Sequence, residues 1–81
     1  MFYFYNIRSI RKAINLKVFL RLRDNIEIEG ILEALDINLI LNDVTEFLES
    51  KPNAKYEKLF VRGNQVSFIK IYKDFINAGS N

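Results

Sequence analysis

The chain of 81 residues contains no cysteine and no histidine, a single proline and only three glycines. Without cysteine, neither a disulfide framework nor a thiolate metal site can form. Without histidine, the commonest general base and the commonest metal ligand at neutral pH are missing, so a Ser-His or Cys-His nucleophile cannot be built. The spacing of the carboxylates suggests no acid–base pair either. We therefore expect no enzyme activity, no metal site and no cofactor.

The chain also lacks strong charge and long apolar runs. A net charge of +2 is too small to argue for a polyanionic partner by itself. The longest apolar run is well short of the roughly 20 residues that a membrane span needs. The aromatic start is followed, not preceded, by basic residues, unlike a secretory signal. We expect an intracellular protein with no membrane partner.

Hydrophobic residues make up 49% of the chain, which is enough for a core, and the length favours a single small domain over residues 1–81. Apolar residues at helical spacing predict an amphipathic helix over about residues 6–15. The inward-facing stripe of this helix is predicted to be Phe4, Ile7, Ile10 and Ile14. The preferred interpretation is a helix that covers an open end of a sheet, and a helix on a membrane surface is the minor alternative. A tail that ends in polar residues is expected at residues 72–81.

From Lys17 onward the hydrophobic period becomes two, which predicts strands. Asp24-Asn25 is a turn signal after the first strand, and Gly30 in the middle of a long second strand predicts a sharp bend that can close a barrel. Further strands are predicted at residues 38–49, 56–61 and 66–71. A loop is predicted at residues 50–55, where Pro52 interrupts the pattern, and a tight hairpin at Gly63-Asn64.

The expected fold is therefore mainly β: an N-terminal α-helix and then a strongly bent, five-stranded antiparallel sheet that forms a small open barrel. Neither residues 56–61 nor residues 66–71 contain a proline or a dense run of lysines that would protect an exposed strand edge. We expect these two edges to pair with other subunits.

Two polar turns carry the functional prediction. Asp36-Ile37-Asn38 and Arg62-Gly63-Asn64 each separate apolar strands, and at one end of a barrel they would form a socket for a planar, hydrogen-bonding ligand such as a nucleobase. The alternative is that they are only a turn and a hairpin. A basic face formed by Lys17, Arg21 and Arg23 is also conceivable, although such residues more often form a solvated face.

Two motifs resemble those of the Sm and Sm-like (LSm) proteins. The first lies in residues 17–49 and the second in residues 56–71, and the resemblance covers about residues 6–71. The first motif consists of Gly30, Leu32, Asp36, Asn38, Leu39, Leu41, Asn42, Asp43 and Glu46. The second consists of Leu59, Val61, Arg62, Gly63, Asn64, Val66 and Ile69. Both motifs occur in the family's order and at the family's separation. The amino-acid sequence of the second is similar to that of the third like-Sm protein and the second D-type core Sm protein.

The resemblance implies an Sm fold, an SH3-like barrel, in a non-catalytic subunit of a hetero-heptameric ring that binds U-rich single-stranded RNA. Such rings act in small nuclear ribonucleoprotein assembly and pre-mRNA splicing or in mRNA decay, in the nucleus or the cytoplasm. The residues implied to line the pore and bind RNA are Asp36, Ile37, Asn38, Arg62, Gly63 and Asn64. No small-molecule substrate is implied.

Each of these residue types suits the task. The Asn38 amide has the donors and the acceptor that match the edge of uracil, and Arg62 can lie over a base and neutralise phosphate. Gly63 is expected to allow close approach and a positive φ, and Asp36 to orient Asn38 or Arg62.

The sequence departs from the family at one point. Three residues usually separate the Asp from the Asn, and one of them often stacks on the base, whereas this chain has only Ile37. This favours, as an alternative, a ring subunit with a structural or adaptor role and little RNA contact. A homo-oligomeric Sm-like RNA chaperone is a third and weaker alternative.

Overall fold

The computed structural model describes residues 2–4 and 10–72, with side chains from residue 12 onward. Six strands form one antiparallel sheet in the order β1-β6-β2-β3-β4-β5. The strands are β1 (Phe2–Phe4), β2 (Lys17–Leu22), β3 (Glu27–Leu35), β4 (Asn38–Leu48), β5 (Lys51–Arg62) and β6 (Val66–Tyr72). Two 3₁₀ turns, Ile10–Ala13 and Gly63–Gln65, complete the described elements. The five predicted strands and the bent antiparallel sheet are confirmed.

The N-terminal α-helix is not confirmed. Within the residues described, this segment contributes the single 3₁₀ turn Ile10–Ala13, while residues 5–9 lie outside the described ranges. Asn15 ends the turn with φ 73°, a left-handed conformation that asparagine tolerates. Because of this tighter turn, Ala13 rather than Ile14 is buried, and Ile14 is 37% exposed. Strand β1, which was not predicted, pairs with β6 through Phe2–Tyr72 and its neighbours.

Alternation of side chains in β2 and β3 agrees with the prediction. Val18 and Leu20 are fully buried, as are Ile28 and Leu32 on β3, and the register places Leu20 beside Ile28. The predicted turn between the two strands is present: Asn25 takes φ 62° and its N–H donates to the Leu22 carbonyl at 3.1 Å.

Gly30 marks a bend in β3, as predicted. Opposite it, the register of β4 gains a residue at a β-bulge, where Asp43 has φ 52°. A Cβ on Gly30 would lie 2.9 Å from the Asn42 carbonyl oxygen and 3.0 Å from a Val44 methyl. The strands approach too closely here for a side chain, and this lets the sheet curl around its core.

The predicted loop at residues 50–55 is wrong. Strands β4 and β5 form a long hairpin closed by Glu49 and Ser50, whose φ values of 51° and 67° are both left-handed, as in the turns that suit a two-residue hairpin. Pro52 lies inside β5 opposite Phe47, next to an irregularity in the register. Proline is tolerated there because β5 is an edge strand and the irregularity interrupts the hydrogen-bond ladder.

The predicted hairpin at Gly63-Asn64 is also wrong. Strands β5 and β6 lie far apart in the strand order, and the 3₁₀ turn Gly63–Gln65 carries the chain from one to the other across the open barrel. The Arg23 N–H donates to the Gln65 carbonyl at 2.9 Å and ties this turn to the β2–β3 turn.

The core fills the space that the curled sheet encloses. Its buried side chains are Ala13, Val18, Leu20, Ile28, Leu32, Leu39, Leu41, Val44, Val61, Ile69 and Ile71. None of the helical segments described is long and apolar enough to cross a membrane.

Candidate nucleic-acid interface

The two polar turns meet at one end of the barrel. Strands β4 and β5 pair with Asn38 opposite Arg62, so the residue that begins β4 lies beside the residue that ends β5. The Gly63 N–H donates to the Ile37 carbonyl at 3.2 Å and to Asn38 Oδ1 at 3.3 Å. Two segments that are about 25 residues apart in the chain are therefore joined into one surface, as expected from the sequence.

Glycine is required at position 63 only because the neighbouring turn comes too close to leave room for a side chain. A Cβ at this position would lie 2.2 Å from the Ile37 carbonyl oxygen, which no ordinary contact permits. Its φ is not positive, so the expectation of a left-handed glycine is wrong. The 3₁₀ turn begins here with an ordinary backbone, and the neighbouring chain occupies the space of a side chain.

The polar side chains at this surface are available to a ligand. Asn38, Arg62 and Asn64 are exposed, and together with Ile37 they line an open depression of about 310 Å³. Because Asn38 Oδ1 already accepts the Gly63 N–H, its amide group presents two N–H donors outward. Among the residues that the structure describes, Arg62 has no carboxylate partner within 4.0 Å. The depression thus combines hydrogen-bond donors with one positive charge.

Asp36 does not play the expected orienting part through its carboxylate. Its backbone N–H donates to the Asn38 carbonyl at 2.9 Å and closes the short turn. Within residues 12–72, no hydrogen bond or ion pair joins its side chain to Asn38 or Arg62. Ile37, at the tip of this turn, is 79% exposed.

Phe60 is a residue that the sequence reasoning missed. It is 71% exposed on β5, directly across from Ile40. It lines a second depression, of about 300 Å³, with Leu35, Asp36, Ile37 and Asn38. The signal in the sequence was its even spacing from Arg62, which puts both side chains on the same face of a strand.

The conceivable basic face is largely neutralised. The Lys17 ammonium lies 3.1 Å from a Glu29 carboxylate oxygen, and Arg21 bonds a Glu27 oxygen at 2.8 Å. Burial, together with a hydrogen bond to Glu29, raises the pKa of Tyr72 on the same face. This face therefore offers little net charge to a polyanion, in contrast to the turns. Over the described residues, no cluster of three or more carboxylates could hold a metal ion.

Comparison with known proteins agrees with the motifs. The sequence model of the LSM domain matches residues 8–71. The LSM complex subunit lsm6 of Schizosaccharomyces pombe is 34% identical over 80% of this chain and 89% of that protein. A probable U6 snRNA-associated Sm-like protein LSm6 of Dictyostelium discoideum is 33% identical over 73% of this chain and 69% of that protein.

A solved structure is also similar. A heptameric archaeal Sm protein has a TM-score of 0.72 and 34% identity, and the match covers 80% of this chain and 97% of that one. The two named relatives are LSm6 proteins, so the expectation of the third like-Sm or second D-type subtype stays a prediction. From the match over residues 8–71, the shared fold and these relatives, the chain belongs to the LSM domain family of Sm and Sm-like proteins.

Proposed function

We propose that this chain is a non-catalytic subunit of a closed hetero-heptameric ring of LSM-domain proteins, and that the ring binds U-rich single-stranded RNA. The observation that carries the proposal is the pair of hydrogen bonds from the Gly63 N–H, which hold Asn38 and Arg62 side by side on an exposed surface. The proposed RNA-binding residues are Asp36, Ile37, Asn38, Arg62, Gly63 and Asn64.

The chemistry of the surface favours a base with carbonyl acceptors. The outward amide N–H groups of Asn38 can donate to the carbonyl oxygens that uracil presents at its edge. The Arg62 guanidinium can lie flat against the base and also attract phosphate. The Asp36 carboxylate repels phosphate, so its contribution is the tight backbone turn that positions Asn38.

Ring assembly is supported by the strand edges. Among the described strands, β5 pairs only with β4, so its outer edge is free for a strand of another subunit. On β6, strand β1 occupies the outer edge at residues 70–72 only, which leaves residues 66–69 for a neighbour. The relative named as an LSM complex subunit and the heptameric archaeal Sm protein favour this arrangement.

The same proposal includes the finer roles. The relative associated with U6 snRNA supports a role in small nuclear ribonucleoprotein assembly and splicing, with mRNA decay as a second candidate, in the nucleus or the cytoplasm. Residues 1–81 are proposed to form one Sm-like domain.

Replacement of Arg62 tests RNA binding. In the assembled ring, Arg62→Ala should weaken the affinity for oligouridylate by about 1–3 kcal/mol, because one stacked, charged contact is lost. Arg21→Ala is the matched control, since Arg21 is an exposed arginine on β2 that is paired with Glu27, and it should bind like the parent. Fluorescence anisotropy titration measures the affinity, and equal binding by Arg62→Ala and the parent would mean that this subunit leaves its pocket empty.

The alternative of a structural adaptor subunit is favoured by one observation, the short turn in which Ile37 stands where a stacking residue is usual. Native mass spectrometry of the chain, alone and with LSM-domain partners, separates the assembly states. A closed homo-ring would favour the chaperone alternative. A monomer that binds none of the LSM-domain partners would refute the proposal of a ring subunit. Cross-linking of RNA to Asn38 or Arg62 would argue against the adaptor.

A further inference from the structure

Phe60 is a large apolar side chain in an unusual place. It is 71% exposed, and it precedes Arg62 by two residues on β5. The register pairs Phe60 with Ile40 and Arg62 with Asn38. Val61 and Leu39, the residues between them, point into the core. Phe60, Arg62, Ile40 and Asn38 therefore form a square on the outer face of the sheet, immediately beside the polar turns.

The spacing within this square suits a planar ring. Side chains at positions i and i+2 of a strand lie about 6.6–6.8 Å apart. This is about twice the 3.4 Å separation of stacked bases. One flat base therefore fits between the phenyl ring of Phe60 and the guanidinium of Arg62, with Asn38 on the neighbouring strand next to its edge.

The surface around Phe60 continues the candidate site. The depression that Phe60 lines shares Ile37 and Asn38 with the depression lined by Arg62 and Asn64. Phe60 and Arg62 also line one further groove together. Phe60 and Arg62 thus each line a depression that contains Ile37 and Asn38, and they share a third groove.

We propose that Phe60 is a base-stacking residue that supplies the planar face missing from the Asp36-Ile37-Asn38 turn. One pyrimidine base of single-stranded RNA lies between Phe60 and Arg62, and the amide of Asn38 donates to a carbonyl oxygen at its edge. This inference rests on the proposed RNA binding and adds to it a specificity-determining residue outside the two motif turns.

A neighbouring subunit that pairs with the edge of β5 does not block base stacking by Phe60. Strand pairing uses the backbone N–H and C=O groups in the plane of the sheet, whereas the Phe60 side chain stands roughly perpendicular to that plane. A partner strand at the edge of β5 therefore leaves the outer face, with Phe60 and Arg62, accessible to RNA.

The test compares two variants of Phe60 in the assembled ring. Phe60→Leu keeps the apolar volume but removes the planar ring, and it should weaken oligouridylate binding by at least about fivefold, the lower end of what stacking one base contributes. Phe60→Tyr keeps the ring and should bind within about twofold of the parent. In the parent, photo-cross-linking of an oligouridylate that carries 5-bromouridine should label Phe60.

Tyr56→Leu is the matched control. Tyr56 is an exposed aromatic residue of the same strand, about 13 Å from Phe60, and its hydroxyl donates to Glu46, so its replacement should leave the affinity unchanged. Native mass spectrometry of each variant monitors the ring. If Phe60→Leu binds as well as the parent, Phe60 is not a stacking residue. If the rings of Phe60→Leu dissociate, Phe60 is again not a stacking residue, and it instead anchors a neighbouring subunit. If the parent itself fails to bind oligouridylate, the proposed function fails instead.

Discussion

Replacement of Gly63 by alanine would test whether close packing of the two turns builds the candidate site. The new Cβ would lie 2.2 Å from the Ile37 carbonyl oxygen, about 0.8 Å short of the 3.0 Å below which such contacts are essentially never found. The backbone must therefore move apart. The two hydrogen bonds from the Gly63 N–H, at 3.2 and 3.3 Å, would then exceed bonding distance.

The expected cost follows from these contacts. Each lost hydrogen bond costs about 0.5–1.5 kcal/mol, and the strain that remains after relaxation adds about 1–3 kcal/mol, as in overpacked sites. The free energy of unfolding should fall by about 2–6 kcal/mol. This is a large share of the roughly 4–12 kcal/mol expected for a domain of this size. Oligouridylate binding should weaken as well, because Asn38 and Arg62 move apart.

Urea denaturation followed by far-UV circular dichroism measures the change. All proteins are compared at one concentration, because subunit association adds a concentration-dependent stability. Ser67→Ala, at an exposed position in β6, is the control and should stay within about 0.5 kcal/mol of the parent. If Gly63→Ala also stays within that range and binds RNA like the parent, the two turns are not packed against each other as described.

Two further predictions concern the hairpin of β4 and β5. Hydrogen bonds from Lys58 and Asn42 lower the pKa of Glu33 from its ordinary value of 4.5, so its ionised form favours the fold. That stability is complete above pH 4.5 and is lost as the pH falls through the lower folded value. The stability of the parent against thermal unfolding should therefore fall more steeply on acidification than that of Glu33→Gln. Parallel profiles of stability against pH would contradict this. Ser50→Gly should stabilise the chain by about 0.5–1 kcal/mol, because glycine adopts the φ of 67° at this turn without steric cost. Glu57→Gly, within the extended part of β5, should instead destabilise it by a similar amount, and the same denaturation assay distinguishes the two.

The strands of the barrel were predictable because their determinants are local. Alternation in β2 and β3 follows from the need to bury one face of each strand, and Asn25 and Gly30 mark positions where only certain residues fit. The errors also have local causes. Pro52 indicates a loop in isolation, but it is tolerated in β5 because that strand lies at the edge of the sheet and has an irregular register. The helical spacing near the N-terminus is real, yet the described residues form only a 3₁₀ turn that Asn15 ends.

The candidate site was predictable only in its parts. Asp36-Ile37-Asn38 and Arg62-Gly63-Asn64 could be recognised as turns and as family motifs, but Gly63 could not be separated from a left-handed hairpin glycine. Glycine is required because a Cβ would lie 2.2 Å from the Ile37 carbonyl oxygen, and Ile37 belongs to a turn that is distant in sequence. Phe60 was missed because an apolar residue in an alternating strand gives no sign by itself of whether its face is covered.

The sequence by itself therefore determined the curled antiparallel sheet, since hydrophobic alternation and turn-forming residues act over a few positions. It also determined the lack of histidine and cysteine chemistry. Only the tertiary structure decided that β5 and β6 lie far apart in the sheet, that Asn38 lies beside Arg62, and that Phe60 remains exposed next to them. Those relations depend on strand order and register, which arise from the packing of the whole barrel around one core.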